Sequence, residues 1–478
     1  MLFNSIDFAI FLPLVFLLYW FVANKNLKLQ NFLIVVASYF FYGWWDWRFL
    51  SLILFSTLID YAVGVLLLKE ENTSKRKLLL WISIVVNLGF LGFFKYYNFF
   101  LESFVSVFTL FGAEFKAGSL NIILPVGISF YTFQTLSYTI DVYKRKLAPT
   151  KDIIAFAAFV SFFPQLVAGP IERATNLLPQ FYAKRKFDYS KAADGMRQIL
   201  WGLFKKIVIA DNCAKYVNLI FKNSDNYSGS TLVLGALLFT FQIYADFSGY
   251  SDIAIGTSRL FGINLKQNFA FPYFSRDVAE FWRRWHISLS TWFRDYLYIP
   301  LGGSRGSTWM RIRNTFIIFI VSGFWHGANW TFLAWGALNA IYFLPLLLLN
   351  KNRRHTDSVA KGKYFPSFKE MIQIAITFTL TVFSWIFFRA ESIGHAYAII
   401  TEIFSRTFLQ IPEIFPKTLV VLIFVFLTLE WNGRNREYAL AKLENKWNLA
   451  LRWSLYLLLF FSLFIFASYK AQFIYFQF

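Results

Sequence analysis

The chain has 478 residues, of which 57% are hydrophobic and only 15% are charged, and its formal net charge is +20. A protein that folds in water has about 25% charged residues, so this composition excludes an ordinary soluble domain and indicates a membrane protein. The lysines and arginines lie in loops between apolar runs, which is the positive-inside pattern of membrane proteins rather than the basic footprint of a nucleic-acid-binding protein. We therefore predict no nucleic-acid partner.

The N-terminal segment and the cysteine content narrow the class further. The first residues, MLFNSIDFAIFLPLVFLLYWFV, are apolar but have no basic start and no clear cleavage site, so we expect a retained first membrane helix rather than a signal peptide. Cys213 is the only cysteine. An internal disulfide bond and a zinc site built on cysteines are therefore excluded, and we predict no bound metal.

Apolar segments that could cross a bilayer follow one another along the chain. A crossing helix needs about 20 mainly apolar residues, and from the candidate segments we expect about eleven true crossings. Several candidates are short or interrupted, so we expect some to be tilted or re-entrant. The candidates are residues 8–22, 32–45, 49–68, 78–94, 122–142, 152–169, 198–221, 231–255, 312–329, 331–349, 371–388, 417–430 and 453–469.

Basic loops predict the orientation in the membrane. Loops rich in lysine and arginine remain in the cytoplasm. Here they alternate with the less basic segments 95–121, 223–230 and 389–416, which places the N-terminus outside; residues 152–206 begin and end inside and fit a re-entrant segment. No internal repeat is visible, so we predict a single membrane domain over residues 1–478. The basic loops lie at residues 69–77, 144–151, 173–191, 305–313, 351–363 and 434–446.

Three apolar segments contain polar side chains that are costly in lipid. They are LPVGISFYTFQTLSYTIDVY (124–143), FFPQLVAGPIER (162–173) and FQIYADFSGYSDIAIG (241–256). We expect their polar groups to face the interior of a helix bundle or a watery cavity. An interhelical hydrogen bond is the simpler role for each, and Gln134 and Asp246 are also candidates for lining a cavity.

The block from Asn264 to Gly306, NLKQNFAFPYFSRDVAEFWRRWHISLSTWFRDYLYIPLGGSRG, is too charged to cross a membrane. Its large apolar residues recur every four positions, which predicts a single amphipathic helix. We expect that helix to lie at the cytoplasmic interface or to dip into it, although an ordinary surface anchor has the same pattern. The recurring residues are Phe281, Trp285, Leu289, Phe293 and Leu297.

The chain has only four histidines, and two of them stand in unusual surroundings. His326 lies in GFWHGANW (323–330), at the end of a helix that we predict over about 312–329, and His286 lies in the charged block. A histidine within a membrane is costly; it is either hydrogen-bonded to a carbonyl, which is the simpler interpretation, or functional. A neutral imidazole can take a proton from a hydroxyl and pass it to a leaving group.

Several catalytic motifs are missing from the sequence. Without G-x-S-x-G an α/β-hydrolase is disfavoured, and without H-E-x-x-H a zincin metalloprotease is excluded. The segment GGSRGS (302–307) has the glycines of a phosphate-binding loop but lacks G-K-[ST], so it is better interpreted as a turn.

Two long segments show a family resemblance. FWRRWHISLSTWFRDYLYIPLGGSRG followed by GFWHGANWTFLAWG resembles the membrane-bound O-acyltransferase superfamily. LPVGISFYTFQTLSYTIDVY, FFPQLVAGPIERA and QIYADFSGYSDIAIG are similar to the alginate O-acetyltransferase branch, and the D-alanyl lipoteichoic acid transfer proteins have a similar RRWHISLS block. The resemblance covers nearly the whole chain. It implies an all-α polytopic protein, with tilted, re-entrant and interfacial helices in a ring around a central tunnel.

The resemblance also implies the chemistry and its residues. The essential histidine of the family matches His326, and its second motif residue matches His286. It implies an O-acetyltransferase in the bacterial inner membrane that uses cytoplasmic acetyl-CoA as co-substrate and has no permanently bound cofactor. The acetyl group would pass to an extracytoplasmic transferase of the SGNH-hydrolase type, which would modify an exopolysaccharide such as alginate.

Arginines are the expected contacts of the donor phosphates, because a guanidinium binds two oxygens at once. Two alternatives remain open. One is a different transfer by the same fold, either D-alanyl transfer to teichoic acid or O-acetylation of peptidoglycan. The other is a proton-coupled transporter, which would be expected to show an inverted repeat. The candidate donor or tunnel residues are Arg283, Arg284, Arg305, Arg311, Arg313, Trp285, Trp325, Asn329, Asp246 and Gln134.

Overall fold

The computed structural model describes residues 1–112, 118–445, 447–467 and 469–474. The remaining positions of the predicted single domain, including part of the segment 95–121, lie outside the described residues. Every regular element in the described ranges is a helix, as predicted for an all-α protein. The chain divides into two compact units, one formed by residues 1–192 and 257–265 and the other by residues 193–256 and 266–478. We call them the N-terminal unit and the C-terminal unit.

The N-terminal unit contains nine α-helices among its described residues and the start of a tenth. Several of them are extended by π-helical turns, as at Leu18–Val22 and Gly92–Tyr96. The α-helices are α1 (Ile6–Leu17), α2 (Leu27–Gly43), α3 (Leu50–Lys69), α4 (Thr73–Leu91), α5 (Tyr97–Leu110), α6 (Ile128–Tyr143), α7 (Ile153–Ser161), α8 (Phe163–Leu166), α9 (Ala174–Leu177) and the beginning of α10 (Tyr189–Leu203).

The C-terminal unit contains most of α10 and the remaining helices. The helix α12 begins in this unit, and its last residues belong to the N-terminal unit. The helices are α11 (Asp211–Lys222), α12 (Gly229–Leu260), α13 (Val278–Arg284), α14 (Ile287–Phe293), α15 (Thr308–His326), α16 (Trp330–Leu348), α17 (Phe368–Arg389), α18 (Ile393–Ile403), α19 (Lys417–Gly433) and α20 (Leu449–Ile465).

Six described helices are long enough and apolar enough to cross a membrane: Ile6–Lys25, Trp47–Lys69, Thr73–Leu110, Gly229–Leu260, Trp330–Leu348 and Phe368–Arg389. They confirm a polytopic membrane protein. The helices α2, α6, α15, α19 and α20 coincide with further predicted spans but are shorter or more polar, so the count of about eleven crossings stays a prediction. The predicted span 152–169 is interrupted at Phe162 and forms two short helices, α7 and α8.

Polar side chains at the ends of helices determine where several of them begin. A side-chain oxygen that accepts from a free backbone N–H of the first turn stabilises the helix start by about 1 kcal/mol. Asn72 caps α4, Ser307 caps α15, and Ser367 caps α17 together with Glu370 in a reciprocal pair. The sequence positions of these caps explain why apolar runs are divided into separate helices.

A buried polar network joins α3, α4 and α6 within the N-terminal unit. The Asp60 carboxylate, which is fully buried, accepts from Ser83, from Asn87 Nδ2 at 2.9 Å and from Thr139 Oγ1 at 3.0 Å. Ser56 donates to Asn87 Oδ1 at 2.8 Å. Because a carboxylate in a membrane-spanning helix is costly unless it is hydrogen-bonded, this network fixes the packing of the three helices.

Candidate active site

His286 lies at a sharp turn between α13 and α14. Its backbone is left-handed, with φ 42° and ψ 55°, a conformation that costs a non-glycine residue about 1–2 kcal/mol. Two backbone hydrogen bonds fix the turn against the preceding segment: Ala270 N donates to Arg284 O at 2.9 Å and Ile287 N donates to Asn268 O at 2.8 Å. The prediction of one continuous amphipathic helix through this block is therefore wrong. Four of the five residues on its apolar face are nevertheless buried, and Leu297 is partly exposed.

Asn268 holds the imidazole of His286. Asn268 Oδ1 accepts from Ser288 N at 3.2 Å and from Ser288 Oγ at 2.8 Å, and it lies 3.1 Å from His286 Nδ1. Since the backbone N–H of Ser288 can only donate, the atom facing it is the amide oxygen, and His286 Nδ1 must carry the proton that it donates there. The other ring nitrogen, Nε2, then bears the lone pair. His286 is therefore held in the tautomer that can accept a proton.

Aromatic rings enclose His286. The Phe247 ring lies 4.6 Å from the imidazole in an edge-to-face arrangement, and Trp325 lies 6.0 Å away. His286 is only 1% exposed, and this burial lowers its pKa from the ordinary 6.5 to about 3. The residue lies outside the six candidate membrane helices. Its imidazole is therefore neutral at physiological pH and can accept a hydrogen bond.

His326 is the last residue of α15 and is 4% exposed. The backbones of α15 and α16 touch near it, since a Cβ atom on Gly323 would collide with Phe332 O and one on Gly336 with Phe319 O. The Trp335 ring lies 5.2 Å from the imidazole at 90°. Glycine at positions 323 and 336 thus lets α16 bring this indole against His326.

Trp325 connects the two histidines. Its indole lies 4.9 Å from the His326 ring and 6.0 Å from the His286 ring. Both imidazoles therefore contact one side chain, although 40 positions separate them in the sequence. The structure brings together three of the predicted site residues, His286, His326 and Trp325, within the C-terminal unit.

A cavity of about 560 Å³ lies in the C-terminal unit, and neither histidine nor Trp325 is among the residues that line it. Along α15 its wall runs from Arg311 to Ser322, eleven residues apart, which corresponds to about 16 Å along the helix axis. Ser322 lies one turn before His326, and Leu289 and Ser290 lie one turn after His286. The wall between is largely apolar and includes Trp282, Phe293, Ile318, Phe319 and Phe343.

The polar part of the cavity wall includes three arginines. Arg294, Arg311 and Arg353 line it together with Asn350 and Asn352. Arg311 Nη2 donates to Asn350 Oδ1 at 2.8 Å and to Leu347 O at 3.1 Å. Cations beside an apolar passage suit a ligand with an anionic head and a small apolar end.

The predicted donor residues Arg283 and Arg284 have other contacts. Arg283 donates to Asn352 O at 2.7 Å and to His355 O at 2.5 Å. Arg284 pairs with Glu280 at 2.8 Å. Neither residue lines the 560 Å³ cavity, and of the five arginines predicted to contact the donor only Arg311 does. A direct contact of Arg283 or Arg284 with a donor stays a prediction.

The other predicted residues divide between packing and polar contacts. Trp285 is fully buried and packs on Trp385, with 5.1 Å between ring centroids. Asn329 caps α16, accepting from Thr331 N and donating to Glu391 O, each at 3.0 Å. Gln134 belongs to the N-terminal unit, where it donates to Phe159 O.

Asp246 forms part of a buried ion-pair cluster that the sequence reasoning recognised only in part. Its carboxylate lies 2.9 Å from Lys206 Nζ, which also pairs with Asp211 at 2.7 Å. Beside it, Lys205 pairs with Asp252 at 2.5 Å. Asp246 and Asp252 lie in a segment that was identified as containing buried polar groups. Asp211 and the two lysines were not identified, although two adjacent lysines in the predicted span 198–221 were a signal.

Asn268 was also missed by the sequence reasoning. It lies in the non-helical part of the block, 18 residues before His286, and nothing in its local sequence distinguishes it from a loop asparagine. Only the turn at His286 brings the two together. Arg353, which lines the cavity, was assigned to a basic loop because of its charge, and it was not among the predicted donor contacts.

Comparison with known proteins identifies the family of this chain. The family model described as "MBOAT, membrane-bound O-acyltransferase family" matches residues 144–388, which include both histidines and the cavity. The chain is 40% identical over 407 residues to a probable alginate O-acetylase of Azotobacter vinelandii, covering 85% of this chain and 78% of that protein. It is 35% identical over 429 residues to a peptidoglycan O-acetyltransferase of Helicobacter pylori, covering 84% of this chain and 79% of that protein.

A more distant relative is a teichoic acid D-alanyltransferase of Bacillus subtilis, which is 27% identical over 288 residues, 58% of this chain and 71% of that protein. The match to the family model and the identity over most of the chain confirm the resemblance found in the sequence. This chain therefore belongs to the membrane-bound O-acyltransferase family and is a multi-pass membrane O-acyltransferase.

Proposed function

We propose that this protein is an O-acetyltransferase of the bacterial inner membrane, with its N-terminus outside, that takes acetyl groups from cytoplasmic acetyl-CoA and passes them on for O-acetylation of an extracellular polysaccharide such as alginate. The names of its relatives in Azotobacter vinelandii and Helicobacter pylori support acetyl as the acyl group. Alginate is favoured as the polymer type because five relatives with at least 38% identity are probable alginate O-acetylases.

One observation carries the proposal: two buried histidines contact the same indole, and each lies one helical turn from residues that line a cavity with three arginines. The arginines would bind the phosphates of the donor, and the apolar part of the cavity would hold the pantetheine arm and the thioester. The acetyl group would then lie next to the histidines. The cavity length of about 16 Å along α15 is comparable to such an extended arm.

The reaction needs a base for a hydroxyl and an acid for a thiolate. An acceptor hydroxyl gives its proton to His326 as its oxygen attacks the thioester carbonyl. The carbon–sulfur bond breaks, the imidazolium returns the proton to the departing thiolate, and the products are an acetyl ester and free CoA. His286, which Asn268 holds in the neutral tautomer with the lone pair on Nε2, accepts a hydrogen bond that orients the acceptor hydroxyl.

The final acceptor lies outside the cell, so the acetyl group has to be handed on. We propose an extracytoplasmic transferase of the SGNH-hydrolase type as the partner that receives it and modifies the polymer. D-alanyl transfer to teichoic acid and O-acetylation of peptidoglycan remain alternative outcomes, because relatives with those activities are also matched. A proton-coupled transporter is disfavoured, since the carboxylate of Asp246 is held in an ion pair with Lys206.

The test compares His326→Ala and His286→Ala with His395→Ala, which removes a histidine that lies beside Ser224 and packs on Phe221. Ester-bound acetate on the secreted polymer is measured together with release of CoA from acetyl-CoA by isolated membranes. We expect both activities to fall by at least about 100-fold in the first two variants, as for a lost general base, and to be retained in the third. Wild-type activity of His326→Ala at equal membrane abundance would refute the assignment.

The acyl group and polymer are identified in the same cells. Mass analysis of the modified polymer distinguishes acetate on an exopolysaccharide from acetate on peptidoglycan and from D-alanine on teichoic acid. Release of CoA that depends on an ion gradient, or uptake without thioester cleavage, would favour a transporter instead.

A further inference from the structure

A second cavity, of about 700 Å³, lies in the N-terminal unit and is lined by a different set of residues. One wall is formed by Gln180, residues 183–189 and Lys191, and the other by Trp20, Arg259, Leu260 and Gly262. The indole of Trp20 is fixed there, because its Nε1 donates to Leu260 O at 2.9 Å. Neither the acyl-transfer chemistry nor the family match assigns a role to this cavity.

The lining of this cavity is strongly basic. Three exposed lysines, Lys184, Lys186 and Lys191, line it beside a single carboxylate, Asp188. Among the ion pairs formed by the described residues, none includes any of the three lysines. Concentrated positive charge in a concave site attracts an anion, and binding of an anion relieves the mutual repulsion of the lysines.

The buried side chain of Arg185 stabilises the cavity wall that carries the lysines. It is 5% exposed and donates to the side chains of Gln30 and Asn31 on α2. Its guanidinium also lies 5.5 Å from the Tyr19 ring. These contacts fix the backbone between Lys184 and Lys186, so the two neighbouring lysines are presented from a rigid segment.

The cavity adjoins a surface that faces lipid. Trp20 belongs to the candidate membrane helix Ile6–Lys25, and the neighbouring side chains on that helix are apolar and exposed: Leu17 by 50%, Phe21 by 75% and Val22 by 60%. In a membrane such side chains contact acyl chains, and tryptophan near the end of a span is typical of the level of the lipid headgroups. A basic cavity at that level is therefore within reach of a headgroup.

We propose that this cavity binds the phosphate-bearing headgroup of an anionic phospholipid, whose acyl chains lie along the exposed face of Ile6–Lys25. The three lysines contact the phosphate, and Phe187 and Tyr189 at the rim contact the glycerol region. A zwitterionic lipid lacks the net negative charge that matches the lysines, and a free phosphate lacks the chains that match the apolar surface beside them.

The experiment uses the full-length protein in detergent. Phosphatidylglycerol, phosphatidylcholine and inorganic phosphate are titrated separately, and bound lipid is measured by native mass spectrometry and by the thermal unfolding midpoint. The variant K184Q/K186Q/K191Q is compared with K144Q/K146Q/K151Q, which removes the same charge from the same unit at positions that do not line the cavity. Ala183→Trp narrows the cavity without changing its charge.

We expect phosphatidylglycerol to bind wild type and the control triple variant alike, and to bind the cavity triple variant and Ala183→Trp at least about tenfold more weakly. Equal binding by the two triple variants would overturn the proposal, because charge alone would then account for binding. An equal effect of phosphatidylcholine would overturn it as well. A stabilising effect of inorganic phosphate that matches the lipid would identify a free-anion site instead. The unfolding midpoints without lipid show whether each variant is folded.

Discussion

The contact between Asn268 and His286 yields the sharpest prediction. Asn268 is fully buried, and its Oδ1 serves His286 Nδ1, Ser288 N and Ser288 Oγ, while its Nδ2 donates to Ser251 Oγ at 3.2 Å. Asn268→Ala removes all of these contacts. The left-handed turn at His286 loses its side-chain support, and the imidazole loses the acceptor that fixes its tautomer.

The magnitude follows from the groups left without a partner. Each buried donor that loses its acceptor costs about 1–3 kcal/mol, so Asn268→Ala is expected to lower the free energy of unfolding by about 2–4 kcal/mol. If the transition state loses one correctly oriented hydrogen bond, the rate constant falls by about 5- to 150-fold, since 1.4 kcal/mol is a factor of ten. Asn268→Asp retains an acceptor for Nδ1 and is expected to keep more activity than Asn268→Ala.

The assay measures kcat and KM for acetyl-CoA in membranes together with the unfolding midpoint of the purified protein. Ser251→Ala is the matched control, because it removes the partner of Asn268 Nδ2 and leaves the acceptor of His286 in place. The expected order of kcat is wild type, Ser251→Ala, Asn268→Asp and then Asn268→Ala, with KM nearly constant. A wild-type kcat in folded Asn268→Ala would show that the tautomer of His286 is irrelevant to the reaction.

Three further predictions concern the cavity and pH. Arg311→Gln should raise KM for acetyl-CoA by about 10- to 100-fold, because a charged hydrogen bond is lost. The control is Arg313→Gln, which lies two positions along α15 and outside the cavity lining and should leave KM unchanged. Equal effects of the two variants would argue against a donor contact. Ser322→Phe should block the passage and reduce kcat/KM for acetyl-CoA, with Ser322→Ala as control. The pKa of His286 is about 6.5 in the unfolded state and about 3 in the folded state. Between these values the unfolded state binds more protons, so the free energy of unfolding decreases as pH falls below about 6.5. His286→Gln should flatten this part of the plot of unfolding free energy against pH, and an unchanged slope would contradict the buried neutral imidazole.

The sequence was sufficient for the fold class and the family, because long apolar runs and long motifs carry that information locally. The four-residue spacing from Phe281 to Phe293 correctly identified buried positions. It did not identify the break at His286, since that left-handed turn is held by backbone hydrogen bonds to Asn268 and Ala270, which are distant in sequence.

The assignment of arginines shows a second limit. Charge and position placed Arg283 and Arg284 at a donor mouth, and in the structure both donate to backbone carbonyls of residues 352–357. Whether a guanidinium faces a cavity or a backbone carbonyl is decided by the path of residues 352–357, and no local pattern in the sequence predicts that path. Arg294 and Arg353 line the cavity for the same reason, because the fold orients them there.

The two hydrogen bonds of Arg283 bear on how mutagenesis of this enzyme is to be interpreted. Arg283 donates hydrogen bonds to the carbonyl oxygens of Asn352 and His355. These bonds anchor the segment that contains the cavity residue Arg353. Removing Arg283 would free that stretch and weaken donor affinity without any guanidinium–phosphate bond having been lost. An affinity defect is thus insufficient to distinguish a ligand contact from an anchor, and partial recovery of affinity on shortening or stiffening the 351–367 segment would identify the anchor.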